Sequence, residues 1–295
     1  MGMYVHGYTE TEASRLTDQA DTLAELLHSN VRFPKGSRVL EAGCGVGAQT
    51  VHLARNNPDS HFTSFDASSE SVAKSRERIA REGLSNVQFE VADVYNLPFE
   101  AEAFDHAFVC FVLEHLHEPV RALSNLKRAL KDRGSISVIE GDHGSYYCHP
   151  RSDAADRAVQ CLIDLQAKKK GDSLIGRQLY PLLVDAGFRE VQVTPRMVYV
   201  DSSRPDLVEG FTRKTFTAMV GGVRGPSVAA GLIDREDFDR GIADLYRTAE
   251  QGGVFCYTFF KAVGMDRAAG DPAPHRVPAP PRSLARRESR RTRHR

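Results

Sequence analysis

The stretch "RVLEAGCGVGAQTVHLA", residues 38–54, restricts the fold more than any other part of the chain. A short apolar run ends at Glu41, glycines follow at positions 43, 45 and 47, and a helical pattern begins directly after them. Glycine adopts backbone conformations that other residues disfavour, and it lets a ligand approach the main chain closely. The stretch therefore predicts a buried strand, a tight turn and a helix, with a ligand beside the turn.

Strand and helix patterns continue to alternate after this turn. Four more strands are predicted in "HFTSFDAS", "NVQFEVADV", "FDHAFVCFVLEHL" and "GSISVIEGD". Amphipathic helical patterns such as "SESVAKSRERIAREG" and "EPVRALSNLKRAL" lie between strands. This alternation is typical of parallel β-α-β units in a doubly wound α/β sheet, with helices on both faces.

The pattern changes after residue 150. Strands are predicted in "REVQVTPRMVYVD" and "GVFCYTFFKAVG". Helices are predicted over residues 152–170, 172–187, 205–220 and 234–250. The two late strands would complete a seven-stranded, mostly parallel sheet, and the helices between them would form a helical insertion that roofs its binding edge.

The same patterns divide the chain into four parts. Residues 1–35 form an N-terminal arm with a helix over residues 10–28. Residues 36–150 are predicted to form a ligand-binding core around the glycine turn, and residues 151–265 are predicted to supply the last strands and the helices that cover a ligand. Residues 266–295, rich in Arg, Pro and Ala and almost without apolar periodicity, are predicted to be a disordered tail.

Three acidic residues stand at the ends of three successive predicted strands. Glu41 precedes the glycines, where it would repel a pyrophosphate and attract a cationic ligand. Asp66 can accept hydrogen bonds from both hydroxyls of a ribose, and Asp93 from the amino group of a purine. The glycine spacing is GxGxG, whereas dinucleotide sites have GxGxxG. The residues therefore predict an adenosine ligand with a cationic part and no phosphates.

Each acid also has a structural interpretation. Glu41 or Asp66 would then cap the helix that follows it. Asp93 would be an ordinary turn residue. The sequence leaves these alternatives open.

Four segments, "VLEAGCGVGAQT", "SFDAS", "VADVYNLPFEAEAFDHAFVCFVLEHL" and "LKRALKDRGSISVIEGD", resemble the motif series of class I S-adenosylmethionine-dependent methyltransferases. The resemblance covers roughly residues 36–142 and includes small-molecule enzymes of the ubiquinone/menaquinone C-methyltransferase type. It departs from the family at "KDRG", where Lys-Pro-Gly-Gly is frequent, which affects a turn. A weaker similarity in "MYVHGYTE", "DHGSYYCHP" and "RMVYVDSS" indicates an enzyme of secondary metabolism, such as a C-methyltransferase acting on a terpenoid indole alkaloid of the teleocidin kind.

The resemblance implies a Rossmann-like methyltransferase fold with S-adenosyl-L-methionine as the cofactor. By position, it places the glycine loop at the methionine part, Asp66 at the ribose and Asp93 at the adenine edge. Arg15 and Gln19, four apart on one helix face, are candidates for the methionine carboxylate, with a solvated Arg15 as the alternative. The predicted cofactor contacts are Arg15, Gln19, Glu41, Ala42, Gly43, Gly45, Gly47, Asp66, Ala67, Asp93, Val94, Phe111 and Val112.

Methyl transfer from a sulfonium is an in-line displacement whose leaving group needs no proton. The enzyme supplies proximity, alignment and a dry site. A base is required only when the acceptor must lose a proton. His143 is the leading candidate, since an imidazole titrates near neutral pH. Glu140 and Asp142 are nearby carboxylates, and a structural role for His143 is the alternative.

An alkene acceptor would attack through its π-bond and leave a carbocation, which aromatic faces stabilise. The predicted substrate contacts are Tyr8, Tyr146, Tyr180, Tyr199 and Phe216, with core packing as the alternative. The N-terminal "MGMYVHGY" is predicted to fold over the site as a lid or to cross to another subunit of a homo-oligomer. Disorder of this arm is the other interpretation.

Composition restricts the location and partners. The five cysteines form no CxxC pair, which predicts reduced thiols, a cytoplasmic location and no metal site. Neither a signal peptide nor an 18-residue apolar run is found, so no membrane partner is expected. The tail carries nine Arg against three acids, so the zero net charge leaves six net negative charges on residues 1–265.

An acidic body does not indicate nucleic-acid binding as a general function. The basic tail is interpreted either as a tether to a nucleic acid or an anionic surface, or as a solvated extension. A nucleic-acid or protein methyltransferase is therefore disfavoured, also because no Asn-Pro-Pro-Tyr motif is present. An NAD(P)-dependent oxidoreductase should show GxGxxG and a Tyr-x-x-x-Lys pattern, which we do not find. A non-catalytic binding protein with the same fold remains a further alternative.

Overall fold

The computed structural model describes residues 10–266, with side chains from Ser14 onward. The predicted lid with Tyr8 and the tail beyond Asp266 lie outside the described residues. In the described part, no helix has the length and apolar character needed to cross a membrane.

Eight strands form one sheet in the described residues. They are β1 (Arg38–Ala42), β2 (His61–Asp66), β3 (Val87–Val91), β4 (Phe104–Cys110), β5 (Leu130–Gly141), β6 (Tyr147–His149), β7 (Arg189–Asp201) and β8 (Val254–Met265). The first five are parallel in the order β3-β2-β1-β4-β5, and β8 is antiparallel to β5. β7 pairs with β8 along its whole length, also antiparallel.

Helices connect and cover the strands. They are α1 (Glu10–His28), α2 (Ala48–Asn56), α3 (Ser69–Arg81), α4 (Pro119–Ala129), α5 (Asp153–Lys168), α6 (Leu179–Asp185), α7 (Pro205–Leu207), α8 (Ala218–Gly221), α9 (Arg224–Ala229) and α10 (Arg235–Arg247). A π-helix, Val208–Thr217, joins α7 to α8 without a break. π-Helices are rare in proteins, and those that do occur are often found at functional sites.

The central strands of the sheet are buried on both faces because their successive residues enter different cores. Val39 and Phe108 pack into a core with α1, α2 and α5, whereas Leu40 and Val109 pack into a core with α4 and α6. A strand that is buried on both sides is apolar at most of its positions, which explains the nearly continuous apolar runs in the sequence. The doubly wound, mostly parallel α/β sheet predicted from those runs is confirmed.

Three details were not predicted. The eighth strand, β6, exists because β5 pairs only with Phe259–Met265 and leaves the first residues of β8 free to pair with Tyr147–His149. The helix expected over 172–187 is a 3-10 turn followed by the short α6. Within the helix expected over 205–220, the π-helix replaces α-helical geometry.

Candidate ligand-binding site

The loop after β1 favours glycine at all three positions. Gly43, Gly45 and Gly47 have φ values of +70°, +53° and +77°, which are left-handed conformations. A Cβ atom on Gly43 would lie 2.5 Å from Cγ2 of Val112, and one on Gly47 would lie 3.1 Å from Oγ of Ser75. A Cβ atom on Gly45 would meet nothing within 4 Å. The loop is thus tightly packed on its protein side and open at Gly45.

Asp66 ties this loop to the end of β2. Its Oδ2 accepts a hydrogen bond from the Gly45 N–H at 3.0 Å, and its Oδ1 accepts one from the Ser68 N–H at 2.9 Å. The N-cap of α3 is Ser68 rather than Asp66, because the Ser68 hydroxyl accepts the Ser71 N–H. A carboxylate oxygen can accept more than one hydrogen bond, so both oxygens can still bind ligand hydroxyls.

A cavity of about 560 Å³ opens beside the loop, within the usual size range of ligand pockets. It joins a polar end at the carboxyl ends of β1, β2 and β3 to an apolar end under the π-helix. Twelve of the predicted site residues line it. They are Arg15, Gln19, Gly43, Gly45, Asp66, Ala67, Asp93, Val94, Phe111, Val112, His143 and Phe216.

Three predicted cofactor residues do not line the cavity. Ala42 and Gly47 are buried in the strand end and the loop packing. Glu41 is only 2% exposed, and its Oε2 accepts a hydrogen bond from the Ser64 hydroxyl at 2.6 Å. Glu41 therefore does not reach the cavity, which differs from the predicted cofactor contact, because the residue is buried beneath the loop. Burial raises the pKa of Glu41 to about 7, against the opposing effect of the Ser64 hydrogen bond.

This raised pKa makes stability depend on pH. The unfolded chain ionises Glu41 near its ordinary value of 4.5, so the stabilising effect of neutral Glu41 is lost as pH rises toward and through 7. We expect Glu41→Gln to be more stable than the wild type at pH 8 by about 2 kcal/mol, less than the full ~3 kcal/mol of the shift because the new NH2 group is buried. Urea unfolding at pH 5 and pH 8 measures this, and equal pH slopes in both proteins would contradict it.

Buried Glu140, at the end of β5, holds the segment after β4. Its Oε1 accepts the N–H groups of Val112 at 2.9 Å and Leu113 at 2.7 Å. Burial, together with the charge of Glu114, raises the pKa of Glu140 well above its ordinary value. The same segment contains Phe111 with φ +58°, an unusual value for a bulky residue. Glu140 therefore fixes a strained turn whose side chains line the cavity.

His143 lines the cavity as a buried, neutral imidazole. Its Nδ1 is hydrogen-bonded to the Tyr257 hydroxyl at 2.7 Å. Burial lowers the pKa of His143 below its ordinary value, although Glu114 and Asp142 act in the opposite direction. Arg177 donates two hydrogen bonds of 2.7 Å to the carboxylate of Asp142, which anchors the loop that carries His143. With Nδ1 occupied by Tyr257, Nε2 is the ring nitrogen left for a ligand.

The apolar end of the cavity is an aromatic wall. Ring centroids of Tyr257 and Phe259 are 4.7 Å apart, Phe216 and Tyr257 are 5.5 Å apart, and Phe111 and Phe259 are 5.7 Å apart. Phe211 lies 5.8 Å from Phe259. Tyr257 and Phe259 were not identified from the sequence. Their alternation with polar or small residues in "GVFCYTFFKAVG" was the available signal.

Three predicted substrate contacts lie outside the cavity. Tyr146 packs against Phe216 from behind and donates to Asp156. Tyr180 is 57% exposed on α6. Tyr199 is 45% exposed on β7, where strand alternation turns it to solvent. The structure therefore corrects these three positions.

Residues 34–187 match a family model described as "Methyltransferase domain". An uncharacterized 37.1 kDa protein of transposon TN4556 from Streptomyces fradiae is 31% identical over 208 residues, 70% of this chain and 59% of that protein. Demethylmenaquinone methyltransferase from Listeria monocytogenes is 28% identical over 111 residues, 37% of this chain and 47% of that enzyme. The chain thus spans about half the length of these relatives.

Among solved structures, the [4+2]-cyclase SpnF resembles this chain with a TM-score of 0.51 and 23% identity. The match covers 87% of this chain and 82% of SpnF. At 23% identity, this similarity is evidence for a shared fold alone.

Proposed function

The chain belongs to the methyltransferase-domain family, and on this premise we propose that it is an S-adenosylmethionine-dependent methyltransferase for a small, fairly apolar acceptor. One observation carries the proposal. A single cavity joins a glycine loop and two strand-end aspartates, Asp66 and Asp93, to an aromatic wall. A cofactor at the polar end and an acceptor at the aromatic end would then meet inside one cavity, as group transfer requires.

The residues at the polar end fit the cofactor. Gly45 has open space where a side chain would be, so a ligand can lie against the loop. Asp66 is anchored by two N–H groups and offers its carboxylate to ribose hydroxyls. Asp93 and Val94 would meet the adenine, and Arg15 and Gln19 the amino-acid end. When bound, S-adenosylmethionine supplies an electrophilic methyl group on a sulfonium.

At the acceptor end, the chain itself supplies apolar surface and few polar groups. Phe111, Phe211, Phe216, Tyr257 and Phe259 would exclude water and favour a flat or branched apolar molecule. In the tautomer of neutral His143 whose Nδ1–H donates to the Tyr257 oxygen, Nε2 would accept a proton when the acceptor must lose one. For an alkene acceptor, the aromatic faces would matter more than this base.

We further propose a role for this chain in secondary metabolism. The similarity in "DHGSYYCHP" and "RMVYVDSS" supports a role in secondary metabolism, with C-methylation of a terpenoid or indole alkaloid as the reaction. A cytoplasmic location, a homo-oligomer through the N-terminal arm and the four-part division of the chain stay predictions from the sequence.

Ligand binding tests the proposed function. We expect S-adenosylhomocysteine to bind with a micromolar Kd and NAD to show no binding, because GxGxG and buried Glu41 do not provide a pyrophosphate site. Isothermal titration calorimetry with both ligands measures this. Binding of NAD without binding of S-adenosylhomocysteine would replace the proposal with an oxidoreductase.

A further inference from the structure

A buried histidine lies behind the cavity wall. His28, the last residue of α1, is completely buried, and its ring lies 5.8 Å from the ring of Phe108. Its Nε2 is hydrogen-bonded to Oε1 of Gln49 at 2.5 Å. Gln49 is the second residue of α2 and lines the cavity. An apolar side chain would pack in this place without the cost of burying a polar ring, so the hydrogen bond needs an explanation.

The chemistry of the pair fixes the proton on His28. A carbonyl oxygen only accepts hydrogen bonds, so Nε2 must carry the hydrogen that faces Oε1 of Gln49. Burial lowers the pKa of His28 to about 4, so the ring is neutral at physiological pH and Nδ1 carries none. Nδ1 is buried and has no partner among the described residues. The opposite tautomer would bury an unpaired N–H, which proteins avoid.

The orientation of Gln49 follows from this tautomer. With Oε1 held by His28, the amide NH2 group must point away from the buried ring. Turning the amide over would place its NH2 against the Nε2–H of His28, donor against donor. Within residues 10–266, the NH2 group of Gln49 has no hydrogen-bond partner. Two fixed donors therefore remain for a ligand in the cavity.

His52 packs against the His28 ring and helps to hold it in place. Its ring stacks on His28 at 6.0 Å, and its Nε2 is paired with the carboxylate of Asp21 at 2.9 Å. This pairing links α1 to α2 one helical turn beyond Gln49. The His28 ring is therefore confined between His52 and Phe108.

We propose that His28 is a positioning residue that holds the Gln49 amide with its NH2 group toward the carboxylate of the cofactor's methionine end. The inference rests on the proposed function. The carboxylate is the only anion of S-adenosylmethionine, and Gln49 lies two residues after Gly47, the last glycine of the loop. Hydrogen bonds to charged groups are the stronger ones, which is why fixed donors favour this part of the ligand.

Two ligands test the contact of Gln49. S-adenosylhomocysteine carries the amino-acid end, whereas 5′-methylthioadenosine has the same adenosine and sulfur without it. We expect Gln49→Leu to weaken the binding of S-adenosylhomocysteine about tenfold, as loss of a charged hydrogen bond implies. The affinity for 5′-methylthioadenosine should stay within about twofold of the wild-type value. Gln160→Leu is the matched control, because Gln160 is exposed on α5 and bonds only to Asp164.

Variants of His28 test the positioning role. His28→Phe keeps a ring between Phe108 and His52 but removes the donor, and it should show the same selective loss as Gln49→Leu. His28→Gln supplies an N–H at similar reach and should restore most of the affinity. The double variant that combines His28→Phe with Gln49→Leu should bind S-adenosylhomocysteine no more weakly than Gln49→Leu alone. Should His28→Phe not fold, His28→Leu takes its place.

Each outcome supports or overturns one statement. Equal weakening of both ligands in Gln49→Leu would show that the amide contacts adenosine, and no change in either would show no contact. A normal His28→Phe beside a defective Gln49→Leu would overturn the positioning role alone. If the wild type binds no S-adenosylhomocysteine, the proposed function itself fails.

Discussion

Asp66→Ala should weaken S-adenosylhomocysteine binding at least about 100-fold, because two charged hydrogen bonds to ribose would be lost at about 1.5–3 kcal/mol each. The substitution also removes the acceptor that the Gly45 and Ser68 N–H groups use, at 3.0 and 2.9 Å. The loop would therefore lose both a ligand contact and its tie to β2. Calorimetry with S-adenosylhomocysteine measures the change in affinity, and circular dichroism checks that the variant is folded.

Asp59→Ala is the matched control for this experiment. Asp59 precedes β2 at the opposite edge of the sheet, and its carboxylate pairs with Lys35 only at 3.9 Å between two exposed side chains. Both substitutions remove one negative charge, but only Asp66 lies in the cavity. We expect Asp59→Ala to bind within about twofold of the wild type, since exposed ion pairs contribute little. A folded Asp66→Ala with nearly normal affinity would contradict the assigned role.

The strand ends could be predicted because local pattern determines them. An apolar run that stops at an acid or glycine marks the carboxyl end of a buried strand, and parallel strands bring these ends to one edge. Gly43, Gly45, Asp66 and Asp93 therefore all line the cavity, as expected from their positions. The glycines were the clearest signal, because left-handed backbone leaves few other residue types possible.

The acceptor end could not be predicted in the same way. Phe259 is paired with Gly141 of β5, and Tyr257 is paired with Val198 of β7, so both reach the cavity through antiparallel pairings between segments far apart in the sequence. Aromatic composition alone selected Tyr180 and Tyr199, which are exposed. For Tyr199 the alternation was readable, because its neighbours Val198 and Val200 are buried and the residue between them must face outward.

The acidic residues near the cavity also differ in how well local sequence pattern predicts their positions. Asp66 lines the cavity at the predicted strand end and also accepts the Gly45 N–H, which was not predicted, whereas Glu41 lies beneath the loop and contacts Ser64. The residue that shapes the cavity from below is Glu140, which sequence reasoning treated as a second choice for a base. Its function depends on accepting the N–H groups of Val112 and Leu113, a contact between β5 and the turn after β4 that no local pattern reveals.

Gly43→Ala should reduce affinity for S-adenosylhomocysteine about 100-fold and lower the free energy of unfolding. An alanine at φ +70° is strained by about 1–2 kcal/mol, and its Cβ would lie 2.5 Å from Cγ2 of Val112. Such overpacking costs about 1–3 kcal/mol more. Val112 cannot move away freely, because its N–H is held by Glu140 at 2.9 Å. The loop must therefore shift, and with it the surface that faces the ligand.

Two further variants separate strain from collision. Gly36→Ala has a similar φ of +79°, but its Cβ would meet nothing within 4 Å, so it should lose stability without losing affinity. Val112→Ala removes both Cγ atoms that Gly43→Ala would strike, and adding it to Gly43→Ala should recover at least about tenfold of the affinity. Calorimetry on the wild type, Gly43→Ala, Val112→Ala and their combination gives the coupling free energy between these two substitutions. If Val112→Ala only adds to the defect, the collision is not its cause, and backbone strain at Gly43 must explain the whole loss.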